Sequence, residues 1–233
     1  MKGVIGMWTI CFHEFKGLFK SIKSIIIVAI IFGVTYWTAD LMTTITDRLD
    51  VNTGKDGYAT GIASIVFLLG FLFISSLSHD VINREVSTRT MRFLVTKTSR
   101  VKIIIGKYLG IWLFWFFCIF TSFVLIAFVS KNFLWWGILE CMGFISVAIA
   151  YNLVFSVIFP KPAITMFFGV VFALAFPVLS FLVIHSNNVF ISWFKFFTPY
   201  YYALLGDFYI LVNFVYAIGL LMLGIVLFNR RDL

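Results

Sequence analysis

Six long apolar stretches constrain the fold of this chain more than any other feature of its sequence. A helix needs about 20 mostly apolar residues to cross a membrane, and six stretches of the 233-residue chain qualify. Because 62% of the residues are hydrophobic and only 12% are charged, a water-soluble fold of this chain could not bury enough of its apolar surface. The sequence therefore predicts an all-α integral membrane protein, a single transmembrane domain over residues 1–233 with six transmembrane helices at 25–45, 59–77, 108–129, 133–159, 163–184 and 208–228.

The distribution of basic residues predicts how these spans are oriented. Six spans place both termini on one side, together with the second-to-third and fourth-to-fifth loops. That side carries 14 of the 18 lysines and arginines, so both termini are expected in the cytoplasm. The basic residues lie between apolar runs rather than on a polar folded surface, so the net charge of +8 does not indicate a nucleic-acid partner.

The first 23 residues are predicted to form a basic amphipathic helix in the cytoplasmic membrane interface. Trp8, Phe12 and Phe19 recur at helical spacing on one face, whereas Lys16 and Lys20 fall on the opposite face. A simple topology anchor explains the lysines equally well, so both interpretations stay open.

The loop at residues 79–107 is too long for a plain turn and predicts one further amphipathic helix. Ile82 and Phe93 share a side of that helix, which needs a membrane surface or a partner protein to cover it. Basic loops often serve only as topology signals. Asp80 and Glu85 are not needed for such a signal and favour docking of a cytosolic protein.

The segment at residues 185–207 is unusually apolar and aromatic for a loop. Irregular backbone at membrane depth is tolerated only where protein or a cavity surrounds it. We therefore expect short re-entrant or interfacial outer helices before the sixth span. An aromatic belt for the sixth span is the alternative.

Glu140 is the one clear ionisable residue inside a predicted span. Such residues are functional candidates by default, so Glu140 could contact a cationic substrate or couple to protons. It could equally extend its carboxylate to the headgroups or pair with Lys131.

The sequence lacks the motifs of common membrane enzymes. Gly106-Lys107 is followed by Tyr108 where a phosphate-binding loop needs Ser or Thr, and Val101 stands at the first glycine position. His13-Glu14 has Gly17 where a zinc protease needs its second histidine. No catalytic, cofactor-binding or metal-ligating residue is predicted.

The order of these parts resembles the type-2 ABC transporter (ABC-2) permease family, the membrane subunits of many bacterial exporters. In that family the first cytoplasmic loop carries Glu, Gly-Thr, Leu-Leu, Ser-Arg and Gly-Lys in this order. The matching positions here are Glu85, Arg89-Thr90, Phe93-Leu94, Ser99-Arg100 and Gly106-Lys107. Arg89 departs from the family's glycine.

The resemblance implies a half-transporter in a bacterial cell membrane. Two six-span permease subunits would pair as a homodimer or heterodimer, in contact with membrane lipid. Each would bind a cytosolic ABC ATPase subunit, which holds ATP and magnesium because this chain binds no cofactor. By analogy with other members of the family, the substrate would be amphipathic, such as a peptide, a lipid-linked molecule or a hydrophobic drug. The loop would act as a coupling helix through Asp80, Arg84, Glu85, Arg89, Thr90, Phe93, Leu94 and Arg100. The outer segment would gate exit of the substrate, with Pro199, Tyr200 and Tyr201 as candidate gate residues.

Two other functions remain open at this point. A membrane scaffold or assembly factor could recruit a cytosolic protein through the same loop without transport. An ion-coupled carrier could use Glu140, although the sequence shows no inverted repeat and no matching pair of broken helices.

Overall fold

The computed structural model describes residues 6–49, 56–130, 133–186 and 188–231, with side chains for all of these except 38–49, 56–61, 129–130, 189 and 207. All regular structure in these ranges is helical, and two short 3₁₀ helices at Trp193–Phe197 and Asp207–Tyr209 join the α-helices. The α-helices are α1 (Met7–Lys20), α2 (Ile22–Leu49), α3 (Asp56–Ser78), α4 (Asn83–Ser87), α5 (Thr90–Lys97), α6 (Arg100–Ser130), α7 (Trp135–Ile158), α8 (Pro162–Ile184), α9 (Val189–Ser192), α10 (Pro199–Leu205) and α11 (Ile210–Asn229).

The long helices carry the predicted spans. Within the described residues, α3, α6, α7, α8 and α11 are long and apolar enough to cross a membrane. The bent pair of α1 and α2, which meet at 73°, brings the number of candidates to as many as six. The all-helical, multi-pass membrane architecture predicted from the apolar stretches is therefore confirmed.

Helix α7 forms the centre of the bundle. It packs against α3, α6, α8 and α11, and Phe144, Ile145 and Ala148 on it are completely buried. A helix that is apolar on all sides is stable only away from water, and around α7 the other helices provide that environment. At Gly143 an added Cβ would lie 3.4 Å from the carbonyl oxygen of Ile210, so this glycine lets α11 approach the backbone of α7 closely.

Helices α8 and α11 lie at the periphery instead. Only 17% of the span in α8 and 22% of the span in α11 are buried. Their exposed residues are large and apolar, among them Phe167 and Leu174 on α8 and Val215 and Met222 on α11. Surfaces of this kind are stable against lipid or another apolar protein face, not against water.

Helix α1 presents three faces. Ile10 and Cys11 are buried against α6. Trp8 and Phe12 are more than half exposed and form a separate apolar stripe, whereas Lys16 and neighbouring polar side chains are exposed on a third face. The sequence pattern predicts only the apolar and polar faces, because the face packed on α6 is short and mixed in composition.

The connections at the two ends of the bundle differ. Helix α7 ends at Ile158 and α8 begins at Pro162, so the Pro160–Lys161–Pro162 break is a tight turn between neighbouring helices, as predicted. This end of the bundle lies on the same side as α4 and α5, called the coupling side below. Residues 188–209 form α9, α10 and the two 3₁₀ helices at the opposite end, called the distal side below.

Candidate functional site

The loop between α3 and α6 contains two short helices, not the single helix that its apolar spacing predicts. The backbone of Arg89, between α4 and α5, is left-handed with φ 60° and ψ 7°. An L-residue in this conformation ends a helix. The break separates the two faces of the loop, so Ile82 is completely buried whereas Phe93 is 73% exposed. Glycine, which the ABC-2 permease family carries at the position of Arg89, adopts this conformation without steric cost.

A buried ionic cluster joins the loop to the spans. The Lys107 ammonium on α6 is 1% exposed and lies 2.8 Å from the Glu85 carboxylate on α4. It also lies 2.5 Å from the Glu14 carboxylate on α1. One lysine therefore ties two otherwise separate helices to the same point of α6. Glu85 was among the predicted coupling residues, whereas Glu14 and the pairing role of Lys107 were missed.

Two glycines bring α1 into backbone contact with α6 beside this cluster. An added Cβ at Gly110 would lie 2.7 Å from the carbonyl oxygen of Cys11, and one at Gly106 would lie 2.9 Å from that of Met7. Small residues four positions apart allow two helices to approach this closely in membrane proteins. The close approach holds Glu14 within reach of Lys107.

A second set of contacts ties the start of the loop to α7 and α8. The Ser156 hydroxyl on α7 accepts hydrogen bonds from the backbone N–H groups of Ile82, at 2.9 Å, and Asn83, at 3.1 Å. The Asn83 side-chain amide donates to the Thr165 hydroxyl on α8. Asn83, Ser156 and Thr165 are completely buried. Buried hydrogen bonds of this kind fix the geometry of the groups that make them.

The outward surface of the loop carries most of the predicted coupling residues. Arg84 is 60% exposed and its guanidinium lies 3.7 Å from the Asp80 carboxylate. Thr90 donates to the carbonyl of Glu85 at 3.3 Å, which holds α5 against α4. A groove of about 180 Å³ opens on this surface, lined by Glu85, Thr90, Phe93, Leu94 and Lys97.

Arg100 lies in a different setting from the other predicted coupling residues. One nitrogen of its guanidinium, Nη1, lies within hydrogen-bond distance of three carbonyl oxygens at the end of α11, those of Phe228 at 2.8 Å and of Asn229 and Arg231 at 2.9 Å, and its two N–H groups are shared among them. Arg231 in turn donates to the carbonyl of Val157 at 2.7 Å. Arginines at helix C-termini satisfy carbonyl groups that the helix leaves unpaired. The two arginines thus fasten the end of α11 to α6 and α7.

The predicted gate residues lie together on the distal side. Tyr200 donates to the carbonyl of Phe67 at 2.9 Å, and its ring lies 4.9 Å from that of Phe144 in an edge-to-face contact. Pro199 is buried. The Tyr201 ring is partly exposed and has the Lys195 ammonium 5.3 Å from its centre. Tyr200 is therefore the gate residue most firmly attached to the spans.

Glu140 is partly exposed on α7, five residues after Trp135 at the distal end of that helix. The structure does not bring it together with the coupling residues, which lie at the opposite end of the spans. The suggested pairing with Lys131 lies outside the described residues.

Comparison with known families identifies the chain. The model of a family described as "ABC-2 family transporter protein" matches residues 8–233. No curated protein sequence matches the chain significantly. The family match covers every span, the loop with its buried ionic cluster, and the distal helices. The chain therefore belongs to the ABC-2 transporter family, the membrane permease components of ABC transport systems.

Proposed function

We propose that this chain is the membrane-spanning half of an ABC exporter, and that a separate cytosolic ATPase drives it by binding α4 and α5. The observation that carries this proposal is how α4 is fastened to the spans. Glu85 is tied to α6 and α1 through Lys107, while the residues at the start of α4 are tied to α7 and α8 through Ser156 and Thr165. A displacement of α4 would therefore reach four helices at once.

The exposed surface of the loop suits a protein partner. Phe93 is a large apolar side chain, 73% exposed on a mostly polar surface, and it borders the groove of about 180 Å³. Aromatic side chains beside a pocket are typical anchors of protein interfaces. The exposed guanidinium groups of Arg84, Arg89 and Arg92 suit an acidic surface on that partner. ATP and magnesium would be held by the ATPase.

The remaining parts of the proposal concern assembly and substrate. Pairing with a second permease subunit, identical or not, would place two such loops under two ATPase sites. The apolar faces of α8 and α11 are available for lipid or for that second subunit. An amphipathic substrate would leave on the distal side, past the gate residues Pro199, Tyr200 and Tyr201. The charge distribution supports cytoplasmic termini in a bacterial cell membrane.

The test compares two exposed phenylalanines in a purified complex with an ABC ATPase. Phe93→Ala should abolish the change in ATP hydrolysis that the permease causes, because it removes the proposed anchor without touching a buried group. Phe190→Ala is the matched control, since Phe190 is 86% exposed on the distal side. Phe93 is a sharper probe than Glu85, whose charge reversal would also break the buried ionic cluster.

The outcomes separate the proposal from its alternatives. If Phe93→Ala regulates the ATPase as the unchanged chain does, docking at the groove is wrong. If the chain binds a cytosolic protein but neither alters ATP hydrolysis nor moves a substrate across vesicles, the scaffold function is correct. Transport that follows an imposed ion gradient and stops in Glu140→Gln would establish the carrier.

A further inference from the structure

An apolar cavity of about 220 Å³ lies on the distal side, between α3, α8 and α10. We call it the tail cavity. Pro177 lies seven residues before the end of α8, so the cavity reaches about 10 Å into the span at 1.5 Å per residue. Seven residues line its walls: Phe67, Pro177, Phe181, Ile184, Tyr200, Ala203 and Leu204.

The chemistry of the walls excludes a polar ligand. The Tyr200 hydroxyl is the only side-chain hydrogen-bonding group among the seven wall residues, and it donates to the backbone carbonyl of Phe67. Pro177 has no backbone N–H to offer. Apolar cavities of about 150 Å³ stay free of water and take up hydrocarbon molecules. The tail cavity is larger than that and has the same chemistry.

The mouth of the cavity opens on the exposed apolar surface of α8 and α10. Phe181 is 62% exposed and Leu204 is 69% exposed at its edge. Phe181 belongs to α8, which carries no charged residue between Pro162 and Ile184 and whose outward residues are apolar. The cavity is thus continuous with the exposed apolar surface of a candidate membrane span, the kind of surface that lipid covers.

We propose that the tail cavity holds one acyl chain of a phospholipid from the leaflet on the distal side. The chain would fill the space between α8 and α10 and support the Tyr200 ring from the side away from α7. A lipid bound there makes the packing of α10 depend on the bilayer. This proposal is independent of ATPase docking. The labelling experiment below and the Phe93→Ala experiment can each succeed or fail without affecting the other.

The test uses the full chain in phosphatidylcholine vesicles that contain a trace of phosphatidylcholine with a photoactivatable diazirine near the end of one acyl chain. After irradiation, labelled residues are mapped by peptide mass spectrometry. We expect Ala203, which is half-buried inside the cavity, to be labelled more than Leu182, which is 59% exposed on the open surface of α8. Labelling that only follows surface exposure, with Leu182 above Ala203, would overturn the proposal.

A filled cavity provides the second arm of the experiment. Ala203→Trp should abolish labelling of Phe181 and Leu204, because the indole occupies the space of the chain. Ala163→Trp is the matched control on an exposed position of α8 and should leave their labelling unchanged. Undiminished labelling in Ala203→Trp contradicts the proposal. If that variant does not insert, the comparison of Ala203 with Leu182 in the unchanged chain decides alone.

Discussion

The Lys107 ammonium lies 2.8 Å from the Glu85 carboxylate, and this contact joins a membrane span to the loop on which the proposed coupling depends. With Glu14 at 2.5 Å on the other side, one buried cation serves two carboxylates. Removing one partner of a buried ion pair leaves a charge without compensation, which costs far more than the pair contributes. The buried cluster therefore holds α1, α4 and α6 together, and loss of any one of its three charged groups leaves the others uncompensated.

Lys107→Met should destabilise the protein by about 3–5 kcal/mol, the usual cost of stranding a buried charge. The measurement is thermal unfolding of the purified chain in detergent. Lys102→Met is the matched control, because Lys102 is exposed on the same helix and its loss should have little effect. Neutralising both carboxylates in the Lys107→Met background, with Glu14→Gln and Glu85→Gln, should restore much of the stability. A variant as stable as the unchanged chain would show that the cluster does not join the helices.

Gly110→Ala should separate α1 from α6, because the new Cβ would meet the Cys11 carbonyl oxygen at 2.7 Å. Overpacking of this kind costs about 1–3 kcal/mol. Cys11 reports the change directly. It is completely buried, and burial raises the pKa of its thiol, so it stays protonated and unreactive. Maleimide should label Cys11 faster in the variant.

Gly17→Ala is the control for this experiment, since an added Cβ there meets nothing within 4 Å. That change lies in the same helix as Cys11 and should stabilise it by up to about 1 kcal/mol without altering Cys11 labelling. Equal labelling rates in the two variants would refute the close approach of α1 to α6.

The spans were predictable because a membrane imposes a length and a composition on every helix that crosses it. The Pro160–Lys161–Pro162 turn was predictable for a local reason, since proline cannot continue α7. In both cases the deciding information lies within a short stretch of sequence. The break at Arg89 within the loop was not predicted. The sequence pattern placed Ile82 and Phe93 on one face of a single helix.

The pairing partners in the site could not be predicted, because they depend on distances between elements remote in sequence. Glu14 and Lys107 are 93 positions apart, and nothing near either residue indicates the other. One signal was present: Lys107 is the only charged residue between Ile103 and Ser130 of α6, and a charge among apolar residues requires a partner. Arg100 was assigned to the docking surface through the family resemblance, whereas its contacts with α11 could be seen only in three dimensions.

Arg89→Gly should stabilise the loop, because Arg89 is held in the left-handed conformation with φ 60°. That conformation costs a non-glycine residue about 1 kcal/mol or more, so a gain of this order is expected in thermal unfolding. Arg92→Gly is the matched control, since it removes the same charge from the interior of α5, where glycine costs about 1 kcal/mol. If both changes destabilise the protein equally, the break between α4 and α5 does not require the left-handed residue.

Ser156→Ala should destabilise the junction between α4 and α7. It removes the acceptor of the Ile82 and Asn83 backbone N–H groups, and buried donors left unpaired cost about 1–3 kcal/mol. Hydrogen exchange at these two amides should accelerate. Ser122→Ala is the matched control, because Ser122 is equally buried but donates only to Cys118, one turn earlier in its own helix. Protection of both amides in Ser156→Ala would exclude this junction.

Arg100→Gln should free the end of α11, because a neutral and shorter amide cannot reproduce the charge-assisted hydrogen bonds that Nη1 shares among the carbonyls of Phe228, Asn229 and Arg231. Hydrogen bonds to a charged group contribute about 1.5–3 kcal/mol, so the last turn of α11 should exchange its amide hydrogens faster while the helix centre stays protected. Lys102→Gln, an exposed cation two residues away, controls for the lost charge. Arg100→Lys keeps the positive charge and offers three N–H donors on one nitrogen, so it should restore much of the protection that Arg100→Gln removes. If Arg100→Gln leaves this turn protected, the guanidinium does not hold α11 in place, and Arg100 becomes available for the proposed ATPase contact.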